Sequence, residues 1–236
     1  MNRFYFFITY VIQLFVLTFF LHTLVRFFLR VKFVGTENLT GLKAPVIFAS
    51  NHVTEIDVFF IPMALNYFSR FMPIFYVSRE PKFYDNSGWR SFAYGGLLFK
   101  LCGSYMVYSG KKDYAYSLQN HIELLKRKKS ILIFPEGGRT LTGDLKEGRG
   151  GVTYLAKTSN TPIIPVGISN LYGLTLKEFF SRKRRVTVTF GKPISPEELF
   201  HDKDFYMHDY DFHAYKDAAQ VVMKEIDALI KNPNLT

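Results

Sequence analysis

The chain has 236 residues, 48% of them hydrophobic, which is enough to build the core of one domain of ordinary size. Its single cysteine, Cys102, excludes an internal disulfide and any zinc site built from clustered cysteines. The net charge of +10 at pH 7 favours an anionic partner, which could be nucleic acid, a membrane surface or a phosphorylated molecule.

The N-terminus carries a long apolar segment, from Phe4 to Leu29, in which no charged residue precedes Arg26. As a helix, about 26 residues would be about 39 Å long, more than the apolar core of a bilayer at about 30 Å. The segment is too long for a cleaved signal peptide, and no small-residue cleavage site follows it. A buried core helix is the other alternative, but apolar residues on every side favour lipid. We therefore predict a membrane anchor over residues 1–30, followed by the main domain over residues 31–236.

Basic residues on the two sides of the anchor give a weak signal for its orientation. They are Arg3 before the apolar segment and Arg26, Arg30 and Lys32 at its other end. Because basic residues accumulate on the cytoplasmic side of membranes, we expect the protein at a membrane with its main domain on the cytoplasmic side. The sequence leaves open whether the anchor spans the bilayer or lies in one leaflet with a bend near His22. With an anchor present and no nucleic-acid-binding motif, we expect membrane lipids rather than nucleic acid as partners of the positive charge.

Strand and helix patterns alternate along the rest of the chain. The segments that predict strands are residues 44–50, 72–78, 104–109, 130–135, 161–169 and 184–194. The segments that predict helices are residues 57–68, 89–101, 113–126, 150–158 and 212–230. Apolar strands that alternate with helices indicate an α/β domain, in which a mostly parallel sheet is flanked by helices on both faces.

The loop NHVTEID, residues 51–57, follows a predicted strand, and strand carboxyl ends are where open α/β sheets place their sites. On an ideal helix His52 and Asp57 would point about 140° apart, so they can meet only if the chain turns between them. With Asp57 at or near a helix N-cap, its carboxylate could accept the Nδ1–H of His52 and leave Nε2 free to take a proton. The alternative is that Asp57 only caps a helix and His52 bonds a neighbouring backbone group.

A second loop, FPEGGRT, covers residues 134–140 after another predicted strand. Its two glycines let the backbone turn and expose N–H groups near Gly137, beside the guanidinium of Arg139. Such donors suit a phosphate or the negative oxygen of a tetrahedral intermediate. The glycine-rich segment that follows, residues 148–152, lacks the lysine and the spacing of a P-loop, which argues against nucleotide hydrolysis.

Three segments in this order, NHVTEID, FPEGGRT and TPIIPVGI (residues 161–168), resemble the glycerolipid acyltransferase family, typified by 1-acyl-sn-glycerol-3-phosphate acyltransferase. The resemblance runs from about Val34 to about Pro193. It implies transfer of a fatty acyl group from acyl-CoA or acyl-carrier protein to the free hydroxyl of a lysophospholipid, with lysophosphatidic acid converted to phosphatidic acid. The family uses no metal and no further cofactor.

The resemblance also implies roles for individual residues. His52 would act as the general base and Asp57 would orient it. Glu136 would shape the site, Arg139 would contact the acceptor's phosphate, and residues 163–168 would line the acyl-donor side. The substrate-binding residues that it implies are Glu136, Gly137, Gly138 and Arg139.

One position departs from the family. Ser109 stands where the family has an arginine that helps to hold the acceptor phosphate. Lys111 or Lys112 could supply the charge from nearby, although a lysine lacks the two-pronged guanidinium. Alternatively, the acceptor carries a different head group.

Two rival functions are consistent with the same residues. A metal-dependent hydrolase could use His52, Glu55 and Asp57, but it would need further ligands that the sequence does not offer at suitable spacing. A membrane-binding module that has lost its activity is the other rival. The intact pair of His52 and Asp57 and the intact Arg139 argue against it, whereas Ser109 favours it.

Two further segments have simpler interpretations. The basic run of residues 182–185 is interpreted as a solvated surface or as one that faces lipid headgroups. His201, His208 and His213 lack the spacing of metal ligands, so they predict no metal site.

Overall fold

The computed structural model describes residues 3–15, 22–65, 68–80, 100–108, 113–200 and 211–233. Within these ranges seven strands form one sheet, in the order β1-β7-β6-β2-β5-β3-β4. The strands are β1 Lys32–Val34, β2 Ile47–Ser50, β3 Phe75–Ser78, β4 Ser104–Met106, β5 Ile131–Ile133, β6 Ile163–Ser169 and β7 Thr187–Phe190. All neighbouring strands pair in parallel except β6 and β7, which are antiparallel. The prediction of a mostly parallel sheet is therefore confirmed.

Helices cover both faces of this sheet, as the sequence predicts. They are α1 Arg3–Phe15, α2 His22–Leu29, α3 Phe60–Ala64, α4 Tyr114–Ser117, α5 Gln119–Lys126, α6 Gly151–Ser159, α7 Leu176–Phe180, α8 Pro196–Phe200 and α9 Phe212–Lys231. One buried cluster joins the sheet to α5, α6 and α9, and a second cluster joins it to α2 and α3. The central strands β2, β5 and β6 are buried along their whole length, because both of their faces lie under helices.

The C-terminal helix α9 shows how close this packing is. Its buried side chains recur every three or four residues, as on one face of a helix. The helix begins where the Asp211 carboxylate accepts the backbone N–H of Ala214 at 2.8 Å. Gly167 of β6 admits the helix, because a Cβ at that position would lie 2.8 Å from the Cβ of Leu229.

Several predicted boundaries differ from the structure. The predicted helix over residues 57–68 is a 3₁₀ turn, Asp57–Phe59, followed by the short α3. The predicted helix over residues 113–126 is divided into α4 and α5. Strand β1 has only three residues and is not buried, so its sequence carried no strand signal. The predicted helix over residues 89–101 lies mostly outside the described residues.

The described parts of the N-terminal segment form two helices, α1 and α2, each with one face on the domain. The buried residues of α1 are Phe6, Thr9 and Gln13, which lie on one side of the helix. In α2, Val25 and Leu29 belong to the second core cluster. In the described part of the chain, neither these helices nor any other is both long and apolar enough to cross a bilayer.

The Gln13 side chain fastens α1 to the sheet. Its Nε2 donates to the carbonyl oxygens of Ile74, at 2.5 Å, and of Cys102, at 2.9 Å. Its Oε1 accepts the N–H of Ile74 at 3.1 Å. Ile74 and Cys102 lie just before β3 and β4, so one buried amide binds backbone groups at two neighbouring strands. The opposite face of α1 is apolar and exposed, at Phe4, Phe7, Val11 and Phe15.

We predict that Gln13→Leu lowers the free energy of unfolding by about 1–3 kcal/mol, because leucine leaves buried backbone groups at Ile74 and Cys102 without partners. Denaturant unfolding followed by circular dichroism in mild detergent measures the effect. Gln119→Leu is the control, since Gln119 is exposed at the start of α5. Equal effects of the two substitutions would show that the Gln13 contacts do not hold α1 in place.

A second buried polar residue makes stability depend on pH. His121 in α5 is fully buried, and its Nε2–H donates to the carbonyl oxygen of Tyr105 at 3.2 Å. Burial lowers the pKa of His121 from 6.5 to about 4, and the hydrogen bond to Tyr105 opposes this only in part. The unfolded chain therefore binds this proton at a higher pH than the folded chain does.

We predict that the free energy of unfolding falls as the pH drops from about 6.5 to about 4, by up to about 3 kcal/mol from His121 alone. Above about pH 6.5 the residue is neutral in both states and contributes no pH dependence. His121→Leu removes the titrating group, so its unfolding free energy should fall less over this range. Parallel slopes for parent and variant in denaturant titrations at several pH values would contradict the assignment.

Candidate active site

The two loops singled out in the sequence lie side by side at one edge of the sheet. Residues 51–57 follow β2, and residues 134–140 follow β5. Because β2 and β5 are parallel neighbours, with Ala49 opposite Ile133, both loops emerge at the carboxyl edge. The sheet topology therefore brings together residues that are more than eighty positions apart in the chain.

His52 and Asp57 form a hydrogen-bonded pair. Nδ1 of His52 lies 2.8 Å from Oδ2 of Asp57, whose side chain is fully buried. The same Oδ2 accepts the N–H groups of Val53, at 2.6 Å, and Thr54, at 2.9 Å, and Oδ1 accepts the Thr54 hydroxyl. Asp57 opens the 3₁₀ turn, but its carboxylate reaches back to the preceding loop and does not cap the turn ahead. Asp57 thus lies next to the N-cap position, as the sequence allows, and its carboxylate lies beside the imidazole.

The orientation of the His52 ring is fixed on its face as well as at its edge. The ring stacks on Phe134, with centroids 4.0 Å apart and planes 12° apart. An ionised carboxylate only accepts hydrogen bonds, so Nδ1 carries the proton and Nε2 keeps its lone pair in the neutral ring. Nε2 has no hydrogen-bond partner among the described residues, and the side chain is 18% exposed. The arrangement is that of an oriented base with one open nitrogen.

Glu136 clamps the second loop against the first. Its Oε1 accepts the backbone N–H of His52 at 2.7 Å, and its Oε2 accepts that of Lys146 at 3.1 Å. On the other side of His52, its carbonyl oxygen accepts the N–H of Thr140 at 2.9 Å. Burial raises the pKa of Glu136, and the bonds from the two N–H groups oppose the rise. With both carboxylate oxygens on backbone groups, Glu136 holds the shape of the loops.

The backbone N–H of Gly137 is used inside the turn. Gly137 has a φ of +71°, a conformation that favours glycine, and its N–H donates to the carbonyl oxygen of Phe134 at 2.9 Å. It is therefore not available to an oxyanion, in contrast to the simplest form of the sequence hypothesis. In the described part of the chain, the N–H groups of Gly138 and Arg139 donate to no other atom. These two are the candidate donors.

Basic side chains hold the carbonyl groups of this turn. Arg79 donates from both Nε, at 2.9 Å, and a terminal nitrogen to the oxygen of Gly137. Nζ of Lys146 donates to the oxygens of Gly138, at 2.5 Å, and Arg139, at 2.8 Å. In a trans peptide the C=O and the next N–H point in opposite directions. The N–H of Gly138 therefore points away from Arg79, and that of Arg139 points away from Lys146.

Arg139 itself forms an ion pair. Its guanidinium lies 3.1 Å from Oε1 of Glu55, and both side chains are substantially exposed. Arg149 lies against the turn at Gly137, where a Cβ would come within 2.6 Å of its Nε. The sequence reading missed Arg79, Lys146 and Arg149. Arg79 carried a usable signal, because it directly follows the segment predicted as a strand over residues 72–78, although the sequence does not show which strand lies beside it.

A cleft of about 250 Å³ borders the two loops. Its lining includes Asn51, Glu136, Thr140, Ile168 and Tyr172. Of residues 163–168, which the family resemblance places on the acyl-donor side, Ile168 reaches this cleft.

The structure tests only some of the remaining predictions from the sequence. Ser109, Lys111 and Lys112 lie outside the described residues, as do His201 and His208. In the described part of the chain, no three His, Cys, Asp or Glu side chains cluster as metal ligands would. Glu55, which the hydrolase hypothesis needs as a ligand, instead pairs with Arg139.

Comparison with known proteins decides the family. The family model described as Acyltransferase matches residues 30–169, more than half of the chain. The chain belongs to this acyltransferase family. The match covers both loops of the site, and the resemblance seen in the sequence is thereby confirmed.

Individual relatives within this family are distant. The chain is 31% identical over 184 residues to the 1-acyl-sn-glycerol-3-phosphate acyltransferase of Saccharomyces cerevisiae, which covers 74% of this chain and 55% of the yeast protein. It is 26% identical over 191 residues to 1-acyl-sn-glycerol-3-phosphate acyltransferase alpha of Mus musculus, covering 77% of this chain and 61% of the mouse protein. The chain thus spans less than two thirds of either relative.

A solved structure shares the fold. The 1-acyl-sn-glycerophosphate acyltransferase PlsC of Thermotoga maritima superposes with a TM-score of 0.58 at 16% sequence identity. The superposition covers 97% of this chain and 95% of that protein. It therefore extends the fold of the family beyond the matched residues, to nearly the whole chain.

We predict that Glu136→Gln lowers the free energy of unfolding by about 1–3 kcal/mol, because the amide can accept only one of the two backbone N–H groups and presents its own NH₂ to the other. Denaturant unfolding at pH 7 measures the loss. Glu147→Gln is the matched control, because Glu147 lies exposed in the same loop and its ion-pair partner among the described residues is the exposed Lys216. If the two variants unfold alike, Glu136 is not the clamp described above.

Proposed function

We propose that this protein is an enzyme that transfers a fatty acyl group to the free hydroxyl of 1-acyl-sn-glycerol-3-phosphate and so forms phosphatidic acid. The acyl donor is a thioester, acyl-CoA or acyl-carrier protein, and no metal or further cofactor takes part. Family membership and the names of the two relatives support this activity. The observation that carries it is the pair of His52 and buried Asp57, which leaves Nε2 of the imidazole open.

In the proposed reaction, Nε2 of His52 removes the hydroxyl proton of the acceptor as its oxygen attacks the thioester carbonyl. The Asp57 carboxylate stabilises the imidazolium that forms. The N–H groups of Gly138 and Arg139 bind the negative oxygen of the tetrahedral intermediate, a contribution of about 10²–10³ in rate. The intermediate then expels the thiolate, which takes the proton back from His52. A thioester is already activated, so no acyl-enzyme is needed.

The acceptor's phosphate binds, in this proposal, at the cationic side of the 134–140 loop. Arg139 is its principal partner and exchanges the exposed carboxylate of Glu55 for the phosphate, a stronger acceptor with more charge. Arg149 adds positive charge next to Gly137. Lys111 or Lys112 takes the part of the arginine that Ser109 replaces. A larger head group remains the alternative acceptor at this site.

The lipid substrate implies work at a membrane, with the main domain on the cytoplasmic side. We propose that the N-terminal helices attach the enzyme there as a partly embedded anchor. The exposed aromatic residues of α1 and α2, Phe4, Phe7, Phe15 and Phe27, support this, since their opposite faces are packed on the domain.

We predict that His52→Ala lowers the rate of acyl transfer by about 10²–10⁴ while the chain still folds, because three other donors to the buried Asp57 carboxylate remain. Asp57→Asn should also be severely impaired, since an amide cannot stabilise the imidazolium as the carboxylate does. Thioester consumption measures the rate against a panel of lysolipids that differ in head group. That panel identifies the acceptor at the same time.

His213→Ala is the matched control, because His213 is exposed at the start of α9, far along the chain from the site. It should keep the parent rate. A His52→Ala protein that retains more than about a tenth of the parent rate would exclude His52 as the general base.

A further inference from the structure

The connection between β6 and β7 lies at the same edge of the sheet as His52. It contains α7 and the basic run that follows, and we call residues 176–185 the α7 surface. Because β6 and β7 are antiparallel, with Ser169 opposite Thr187, this connection leaves from the carboxyl end of β6. The parallel strand β2, which ends just before His52, has its carboxyl end at that edge too. The α7 surface and the candidate active site therefore face the same end of the molecule.

The α7 surface is held in place by α2. The ring of Phe28 contacts the rings of Phe179 and Phe180, with centroids 4.9 Å and 5.4 Å away. The guanidinium of Arg182 lies 3.8 Å from the ring centroid of Phe27, and its Nε donates to the Phe27 carbonyl oxygen at 3.2 Å. These contacts fix the position of α7 without covering its outer side.

The outer side of α7 is apolar and exposed. Leu176 is 78% exposed and Phe180 is 63% exposed, although both are large hydrophobic residues. Helix α7 begins with a capping box formed by Thr175 and Glu178, so it is a well-formed helix that presents these side chains to solvent. Exposed apolar residues grouped in this way mark a surface that meets a partner.

Positive charge surrounds these apolar side chains. The α7 surface contains five basic residues, Lys177, Arg182, Lys183, Arg184 and Arg185, and one acidic residue, Glu178. Glu178 is neutralised by Arg184, whose guanidinium lies 2.6 Å from its carboxylate. Lys183 and Arg185 are exposed. An apolar centre with a basic rim complements a bilayer whose headgroups are anionic, because the apolar side chains enter the interface while the cations bind the headgroups.

We infer that the α7 surface is a second membrane-binding element, selective for anionic lipid headgroups and separate from the exposed face of α1. Its position at the edge that carries His52 would bring the site to the bilayer surface. Binding at this surface does not depend on acyl transfer. The role of this surface in giving the enzyme access to a lipid acceptor rests on the proposed function.

The test is sedimentation of the full chain with vesicles of phosphatidylcholine, either pure or with about one third phosphatidylserine. The variant is Lys183→Glu with Arg185→Glu, which spares Arg182 and Arg184 and their contacts. The control, Lys43→Glu with Lys224→Glu, makes the same charge change at two exposed lysines outside the α7 surface. We expect the variant to partition at least about tenfold less onto the anionic vesicles, and the control far less affected.

Both proteins should bind the neutral vesicles as the parent does, because the apolar face of α1 is unchanged. Equal losses for variant and control on anionic vesicles would overturn the inference. So would a parent that binds anionic and neutral vesicles equally, which would leave an acidic protein as the occupant that the charge suits. Leu176→Ser is a second test, which leaves the charge of the surface unchanged. Because Leu176 projects into solvent, we expect this variant to bind both vesicle types more weakly than the parent does.

An assay of acyl transfer tests the proposed function separately from membrane binding. The charge variant should consume thioester at the parent rate when the lysolipid acceptor is dispersed in detergent, where no anionic surface is needed. A parent without acyl transfer would count against the proposed function alone, since sedimentation reports on the membrane surface without any reaction.

Discussion

The buried carboxylate of Asp57 is the contact on which the candidate site depends. Four donors converge on it, from the imidazole of His52, two backbone N–H groups and the Thr54 hydroxyl. A carboxylate can leave water only when its lone pairs are satisfied in this way. Because these donors come from the five residues that precede Asp57, burying its side chain forces the loop to fold back and sets the direction of the imidazole. A local requirement of solvation thus produces an oriented base.

In the second loop, hydrogen bonds again satisfy the polar groups, but here they join side chains to backbone N–H and carbonyl groups. Glu136 satisfies one N–H from each of two loops, and Arg79 and Lys146 satisfy the carbonyl oxygens of the turn. Since a peptide's carbonyl and the following N–H point in opposite directions, cations on the carbonyl side leave amides on the other side. The charge of Arg79 and Lys146 is therefore used to orient the turn, and in the proposed reaction Arg139 and Arg149 are left for the acceptor.

The N-terminal helices take part in folding as well as in the membrane attachment that we propose. The N-terminal helices contribute Phe6, Val25 and Leu29 to the two cores, and Gln13 binds backbone groups next to the sheet. Their other faces are apolar and exposed. The N-terminal helices therefore lie between the domain and whatever covers their exposed faces. In our proposals that cover is lipid, which α1 meets with apolar residues and the α7 surface meets with apolar and basic residues together.

The sequence by itself determined the alternation of strands and helices, the parallel sheet and the two loops that follow β2 and β5, because these are recorded in local periodicity and in short motifs. It allowed the pairing of His52 with Asp57 but could not decide it, since capping a helix uses the same residue types. Only the tertiary structure decided that pairing, the clamp of Glu136, the use of the Gly137 N–H within its own turn and the approach of Arg79. The clamp of Glu136 and the approach of Arg79 depend on which strands are neighbours, and strand order is settled by packing between distant parts of the chain. The other two depend on the backbone conformation that each loop adopts in the folded domain. The N-terminal segment is a further case. Its sequence is apolar on every side of a helix, and only packing against the domain decides which face of each helix is buried.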